Sequence, residues 1–327
     1  MRQVDLILPV YREAEGISHF DARLRRVLSE LSPPYRFRLY YILDRSPDRS
    51  YEILREIALS HDDTVLIHLS SRFGHQASLM AGLDHSAGDA AIMMDTDLQH
   101  PPELIPSLLD RFEAGCDVVQ AVRCYGDSIS VPRRLASALF YRIQNALSPV
   151  KLDPGCADFR LISRKVVRVL QQQIREHNPF LRLLVAWTGF RTAAVPFVAA
   201  PRAHGSTQYS LRRLAGFFLD GILSFSRIPL RLAAMLGFMV AAAGLLYAAV
   251  LLYTYWRYQD FPRGYASLVS VVLVLGGVQL VILGILGEYI GHILDEVKAR
   301  PLYIVDEIIV KGQTPVAGQH VQGGAAQ

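Results

Sequence analysis

"AIMMDTDLQHPPE", Ala91 to Glu103, ends an apolar run on a carboxylate at Asp95, adds a second at Asp97, and then blocks extension with Pro101 and Pro102. Side chains alternate faces in an extended segment, so Asp95 and Asp97 are expected to point the same way, with Gln99 continuing the alternation. Two carboxylates held together repel unless something positive lies between them. A hard divalent ion, Mg2+ or Mn2+, meets that need, because such ions take oxygen ligands and share them with phosphates. Two plainer readings stand beside it: the acids cap the helix opening at Pro101, or they are simply solvated.

The flanking chain weighs between these readings. "VDLILPVY" and "FRLYYILD" read as strands, "RSYEILREIALS" as a helix, and "TVLIHLS" as a third strand. "HQASLMAGLDHSAG" reads as a helix closed by Gly88 at the C′ position. "DAAIMMD" is strand, Pro101 and Pro102 open a helix running to Gly115, and "DVVQAVR" is strand again. This alternation predicts an α/β fold, a mostly parallel sheet flanked by helices. Ligands of such sheets sit outside the carboxyl ends of the strands. Those ends fall at Pro9-Val10-Tyr11, Asp44, Ser71-Arg72, Asp95 and Arg123, almost all with ligand-capable groups, which favours the metal site. G-x-G-x-x-G does not follow the first strand, and G-x-x-x-x-G-K-[ST], H-E-x-x-H and G-x-S-x-G do not occur. Rossmann, P-loop, zincin and nucleophile-elbow chemistry are set aside.

Downstream the chain turns basic at Arg133, Arg134, Arg142 and Lys151, and "DFRLISRKVVRVL" is expected to begin another helix. "LRRLAGFFLDGILSFSRIPLRL" is amphipathic and is expected to lie along a membrane surface. Leu232 to Trp256 and Gly264 to Gly287 carry no charge, and each exceeds the roughly 20 residues a bilayer span requires. They hold the apolar excess behind an apolar share of 51% and a mean hydropathy of +0.22 over 327 residues. Arg212, Arg213, Arg227 and Arg231 precede the first span, and Lys298 and Arg300 follow the second. The intervening loop holds Arg257 and Arg263 against Asp260. Both termini are therefore expected in the cytoplasm of a multi-pass inner-membrane protein. "VDLILPV" is too short for a signal peptide and is interrupted by Asp5.

The expected organisation is a catalytic domain over 1–210, interfacial helices over 211–230, two membrane helices within 231–294 (232–256 and 265–287), and a C-terminal segment over 295–327, disordered after 311. The formal charge of +4 and the isoelectric point near 9.0 are too mild for a nucleic-acid partner and suit an anionic membrane. Cys116, Cys124 and Cys156 make no C-x-x-C pair and read as free thiols. His75 and His85 fall in one helix without zinc-ligand spacing, and His100 borders the acids without ligating.

"LILPVYREAEGI", "SRFGHQASLMAGLDHSAGDAAIMMDTDLQHPPELIPSLL", "DFRLISRKVV", "HGSTQYSLRRLAGFFLDGILSFSRIPLRL" and "GILGEYIGHILDEVKARPLYIV" together resemble the family-2 glycosyltransferases that load sugars onto polyprenyl phosphate. The resemblance covers roughly residues 3 to 308 and is nearest to bacterial undecaprenyl-phosphate sugar transferases with two C-terminal spans. It implies a GT-A-like domain, a nucleotide-sugar donor (a UDP-sugar), a polyprenyl phosphate acceptor and a divalent metal. Pro9, Tyr11 and Glu13 match the family's Pro-x-Tyr-x-Glu element at the base and ribose, and Asp44 matches a nucleoside-contacting carboxylate. Asp95, Asp97 and Gln99 match its Asp-x-Asp-x-Gln metal and diphosphate element. Arg123, Arg133, Ser137 and Arg202 fall where acceptor phosphate and donor diphosphate are gathered. Two departures stand out. Leu43 and Arg45 replace an acid and a small residue of the second-strand motif, and Gln208 stands where many members carry Lys.

The implied reaction displaces a nucleoside diphosphate from the anomeric carbon with a lipid phosphate oxygen, inverting that centre. A phosphate monoester is already mostly dianionic at neutral pH, so a strong general base matters less than charge management. Arg suits that task through its planar fork. Asp97 and Arg123 are the expected catalytic groups. Asp158 orients the acceptor or collects a proton, or else caps the helix expected to follow it. Small residues in "LGGVQLVILGILG" permit close helix packing, as in a homo-oligomer. A non-catalytic scaffold or nucleotide sensor is the main alternative. A processive polysaccharide synthase is a weaker one, since Trp187 and Trp256 lie in no Gln-x-x-Arg-Trp element.

Overall fold

The computed structural model describes residues 1–123, 155–177, 179–198, 228–258, 264–313 and 316–317. The expected interfacial segment 211–227 lies outside these residues, as do Cys124, Arg133, Ser137, Arg202 and Gln208. The described residues fall into two units, one formed by those up to 198 with those from 300 onward, the other by 228–299.

The first unit is the expected α/β fold. Its strands are β1 (Arg2–Val10), β2 (Tyr35–Leu43), β3 (Thr64–Leu69), β4 (Ala90–Met93), β5 (Val118–Arg123), β6 (Cys156–Ser163), β7 (Thr192–Phe197), β8 (Val305–Val310) and β9 (Val316–Ala317). Among the described residues they form one sheet in the order β7-β5-β6-β4-β1-β2-β3-β8-β9. β3, β2, β1 and β4 run parallel, β5 and β7 run parallel to each other, and β6 and β8 are antiparallel to their neighbours. After β3 the chain returns to the far side of β1, so strand order reverses between β1 and β4. That is the switch point at which such sheets open a crevice.

Alternation along β1 sorts the packing. Val4, Leu6, Leu8 and Val10 join a core with α1 (Ile17–Glu30), α2 (Ser50–Ser60) and α4 (Ile105–Glu113). Ile7 faces the opposite side and meets α3 (His75–His85), where a Cβ on Gly82 would stand 2.3 Å from Ile7 Cγ2. Only a glycine allows that helix so close to the sheet. α5 (Arg164–Gln172) covers the same side, its Gln171 donating to the Leu83 carbonyl at the end of α3. α6 (Leu181–Trp187) precedes β7.

Several local expectations are corrected. Gly88 is not a helix cap: α3 ends at Ser86, and Gly88 is needed because an added Cβ would lie 2.8 Å from the Gln3 carbonyl. Asp5, buried beside it, accepts the Ala87 and Gly88 amides at 2.7 Å each, so a carboxylate inside β1 has its partners. Asp158 to Ser163, expected to open a helix, is strand β6, and the helix begins only at Arg164. Phe159 and Leu161 pack into the core between β4 and β5, and that burial decides the conformation. α1 was passed over although Ile17, Phe20, Leu24, Val27 and Leu28 keep helical spacing and are all buried. The C-terminal segment is not separate either. β8 pairs with β3, Lys311 donates to the Ser60 carbonyl, and β9 follows within the stretch expected to be disordered.

The second unit holds α7 (Ile228–Tyr258) and α8 (Tyr265–Lys298), of 31 and 34 residues. Their apolar spans are Ala233–Thr254 and Val274–Lys298, the second reaching further than Gly287. Both are long and apolar enough to cross a membrane. Phe238, Leu245, Leu252 and Leu280 are each at least 70% exposed. Such a surface suits a hydrocarbon solvent. Gly237 lets the pair approach, since a Cβ there would be 3.3 Å from Ile282 Cδ1.

Candidate active site

β4 ends beside β1, and the two acids follow. The Met94 amide still bonds the Ile7 carbonyl, and buried Thr96 donates from Oγ1 to the Pro9 carbonyl at 3.1 Å. Thr96 is buried, and Asp95 and Asp97 on either side of it are both part-exposed, an alternation of burial. The alternation then stops. Leu98 has φ +64° and packs against the core, and the Gln99 amide donates back to Asp97 Oδ1 at 3.0 Å. This turn swings Gln99 out of the expected row. Its Oε1 instead accepts Arg123 Nη2 at 3.0 Å.

Arg123 closes β5 at the same edge, and its Nε is buried without a partner. Its backbone requires Gly155, which lies just before β6 with φ +87° and at which an added Cβ would stand 2.6 Å from the Arg123 carbonyl. Arg123 and Gln99 are thus brought together. The acids are braced from the other side by His100. The Asp95 amide donates to His100 Nδ1 at 2.9 Å, and an amide N–H can only donate, so Nδ1 is unprotonated. The ring is buried and stacks on Phe159, centroids 5.2 Å apart. It fixes the loop, and its Nδ1 is not available as a ligand.

In the β4–β6 register Met93 pairs with Arg160, and two further residues bring Asp158 beside Asp95. Asp158 is buried at the centre of an ion cluster. Arg182 of α6 grips it with two bonds of 2.9 and 2.8 Å, Arg160 adds one of 3.2 Å, and His75 Nε2 lies 3.4 Å away. Desolvation alone would raise this carboxyl, but Arg182 and His75 hold it well below the usual carboxylate range. A carboxylate so compensated is a poor proton acceptor. Being within a strand, it caps no helix. Burial pushes Arg160 down to about 10. His75 Nε2 is also 3.5 Å from Asp95 Oδ1. Desolvation pulls His75 down, and Asp95 and Asp158 outweigh it, raising the imidazole to about 9.

On the β1 and β2 side the loops are knitted by residues that sequence reasoning did not single out. Asp48 accepts Ser46 Oγ at 2.6 Å, Ser50 Oγ at 2.9 Å and the Ala14 amide at 3.1 Å. Ser46 and Ser50 in turn accept the Arg12 and Glu13 amides. The network holds the turn after Tyr11, where Arg12 has φ +58°. Tyr11 carries the Arg72 guanidinium 4.2 Å over its ring. Asp44 spends its carboxylate on the Phe73 and Gly74 amides, 2.8 and 2.9 Å, tying β2 to the start of α3. Leu43 is fully buried in the core, and Arg45 donates to the Ser70 carbonyl. The first departure, Leu43 and Arg45, thus has a structural place. Pro9, Tyr11, Glu13, Asp44, Asp95, Asp97, Gln99, Arg123 and Asp158 all come to one end of the sheet. His75 and Arg182 join them without any sequence signal, because only the register of β6 and the start of α3 bring them in.

The description "Glycosyl transferase family 2" matches residues 5–170, and "GtrB C-terminal hairpin" matches 228–293. An uncharacterized glycosyltransferase, YkcC, of Bacillus subtilis (strain 168) is 38% identical over 305 residues, covering 93% of this chain and 94% of the relative. The SfII prophage-derived bactoprenol glucosyl transferase of Shigella flexneri is 38% identical over 303 residues, 93% and 97% of the two chains. A prophage bactoprenol glucosyl transferase homolog of Escherichia coli (strain K12) is 36% identical over 306 residues, 94% and 99%. The first match spans the strand ends that carry the acids, and the second spans the two apolar helices. The chain belongs to glycosyl transferase family 2 and is a glycosyltransferase.

Proposed function

We propose that the protein transfers a sugar from a nucleotide-sugar, a UDP-sugar, to polyprenyl phosphate in an inner membrane, with its first unit in the cytoplasm. The observation that carries this is the occurrence, in one chain, of part-exposed Asp95 and Asp97 at the strand ends, followed by a Gln99 that binds Arg123, with two apolar membrane-length helices. Bactoprenol, the acceptor in the names of two relatives quoted above, is a polyprenyl lipid, which supports that choice.

The residues fit a divalent cation. Asp95 and Asp97 offer hard oxygen donors, and among the described residues the Asp95 carboxylate has only long contacts, 3.5 and 3.6 Å, to two histidines. Among the described residues no three His, Cys, Asp or Glu side chains form a closed cage. That suits Mg2+ or Mn2+, which bind through one or two carboxylates and take other oxygens from substrate phosphates. Bound there, such an ion supplies neutralising charge to a departing diphosphate. Gln99 and Arg123 act as a pair, the amide aiming the guanidinium, whose remaining N–H groups serve diphosphate or acceptor phosphate. Tyr11 and Glu13 serve the nucleoside, and Asp44 shapes that pocket through the Phe73–Gly74 backbone. Asp158 organises neighbouring cations. Arg133, Ser137 and Arg202 remain proposed acceptor-phosphate groups.

Full-length protein in lipid nanodiscs, given labelled UDP-sugars, Mg2+ and polyprenyl phosphate, is expected to form a labelled lipid with one of the donors. Failure with every donor sinks the transferase reading and leaves a scaffold or sensor. The nucleoside side has its own expectation. Asp48→Ala frees the Tyr11 turn and is expected to raise the donor KM about 10-fold with little change in kcat, the size of one lost set of part-buried hydrogen bonds. Desolvation would raise Asp48, but Ser46, Ser50 and Ala14 outweigh it and hold it low. Its contribution is therefore complete above the ordinary carboxylate value of about 4 and fades as pH falls through the folded value. Acid unfolding monitored by fluorescence should show the variant losing less stability than wild type across that window; parallel curves would deny Asp48 this role.

A further inference from the structure

We propose that Arg182 is a positioning residue of the cation site: acting through Asp158 and His75, it sets the direction in which the Asp95 carboxylate points. The inference rests on the metal reading above. Its physical basis is a continuous set of contacts across four elements. Arg182 Nε and Nη2 take both oxygens of Asp158. Asp158 Oδ2 faces His75 Nε2 at 3.4 Å, and the same nitrogen faces Asp95 Oδ1 at 3.5 Å. Asp95 Oδ2 is turned toward His100. The ring of His75 thus stands between the two carboxylates, and its place depends on where Asp158 is held.

Arg182 itself is not free to wander. The amide of its neighbour Leu181 donates to Gln76 Oε1 at 3.1 Å, and the Leu181 carbonyl accepts Arg160 Nη1 at 3.3 Å. Gln76 adjoins His75 on α3, and Arg160 is two residues from Asp158 on β6. The backbone carrying Arg182 is therefore fastened to the two elements that it aligns. Partners that orient a ligand without touching the metal are worth roughly 10–100-fold in metal affinity. A planar fork fixes a carboxylate in two dimensions, which a lysine ammonium cannot do.

The test uses full-length protein in nanodiscs, wild type, Arg182→Gln and Arg182→Lys. Mn2+ binding is read from the free-ion electron paramagnetic resonance signal with UDP present, and uridine binding is read by calorimetry. Arg182→Gln is expected to weaken Mn2+ about 10-fold with uridine affinity unchanged, Arg182→Lys to recover part of that loss, and excess Mn2+ to restore transfer. Mn2+ affinity within about twofold of wild type in both variants overturns the inference, and so does activity lost without recovery at high Mn2+, which would place Arg182 on the reactants themselves. Should Arg182→Gln unfold, the Lys variant decides alone. Wild type that binds no Mn2+ overturns the metal reading itself, and that outcome is visible before any variant is made.

Discussion

Asp97→Asn is expected to abolish sugar transfer while leaving the protein folded. The two functions of Asp97 can be separated because they use different properties of the side chain. Its Oδ1 accepts the Gln99 amide and so fixes the turn in which Leu98 adopts φ +64°. An asparagine oxygen accepts that bond equally well, so the loop and the Gln99–Arg123 pair should persist. What the substitution removes is the negative charge opposite a divalent ion. Loss of several kcal/mol of transition-state stabilisation corresponds to a fall in kcat of about three orders of magnitude. Asp97→Ala should be no more active and should also lose thermal stability, since the turn loses its acceptor. Transfer by Asp97→Asn within about tenfold of wild type would mean that the charge is dispensable, and the metal reading would fail with it.

The second large effect is on stability. Asp158→Ala leaves Arg160, which is 1% exposed, with no counter-charge among the described residues, and takes the shared carboxylate from Arg182 and one of two from His75. Removing one partner of a buried ion group costs about 3–5 kcal/mol, far more than losing a surface pair. Thermal unfolding of the full-length protein should show a clear drop, and Asp158→Asn a smaller one because the amide oxygen can still accept from Arg182. A near-wild-type melting temperature for Asp158→Ala would show that water reaches the cluster. An alanine there that unfolded the protein would equally explain lost activity. The pair of substitutions keeps a structural hub distinct from a proton acceptor.

How much of this was legible in the sequence depended on what kind of information each feature needs. Local alternation was enough for β1 to β5, and the burial of Thr96 between part-exposed Asp95 and Asp97 follows the same pattern. It was not enough for Gln99, since a non-glycine residue in a left-handed conformation at Leu98 is a choice made by core packing. β6 was mistaken for helix because "DFRLISRKVV" continues without a break into α5, and only pairing on both sides makes its first half extended. His75, Arg182 and Asp48 gave no signal of their own. Their roles depend on residues distant in sequence: Asp95 and Asp158 for His75, Asp158 for Arg182, and Ala14 for Asp48.

β8 has a consequence for how the protein is made. The strand that shields the edge of β3 is encoded after both apolar helices, so the nucleotide-handling half of the chain is discontinuous in sequence. A ribosome finishing residue 298 has not yet supplied it, and until then β3 presents unpaired amides and carbonyls that can recruit a foreign strand. Folding of the sheet unit therefore completes only after both apolar helices have been synthesised. A soluble fragment cut before Ile228 is born with an open, sticky border.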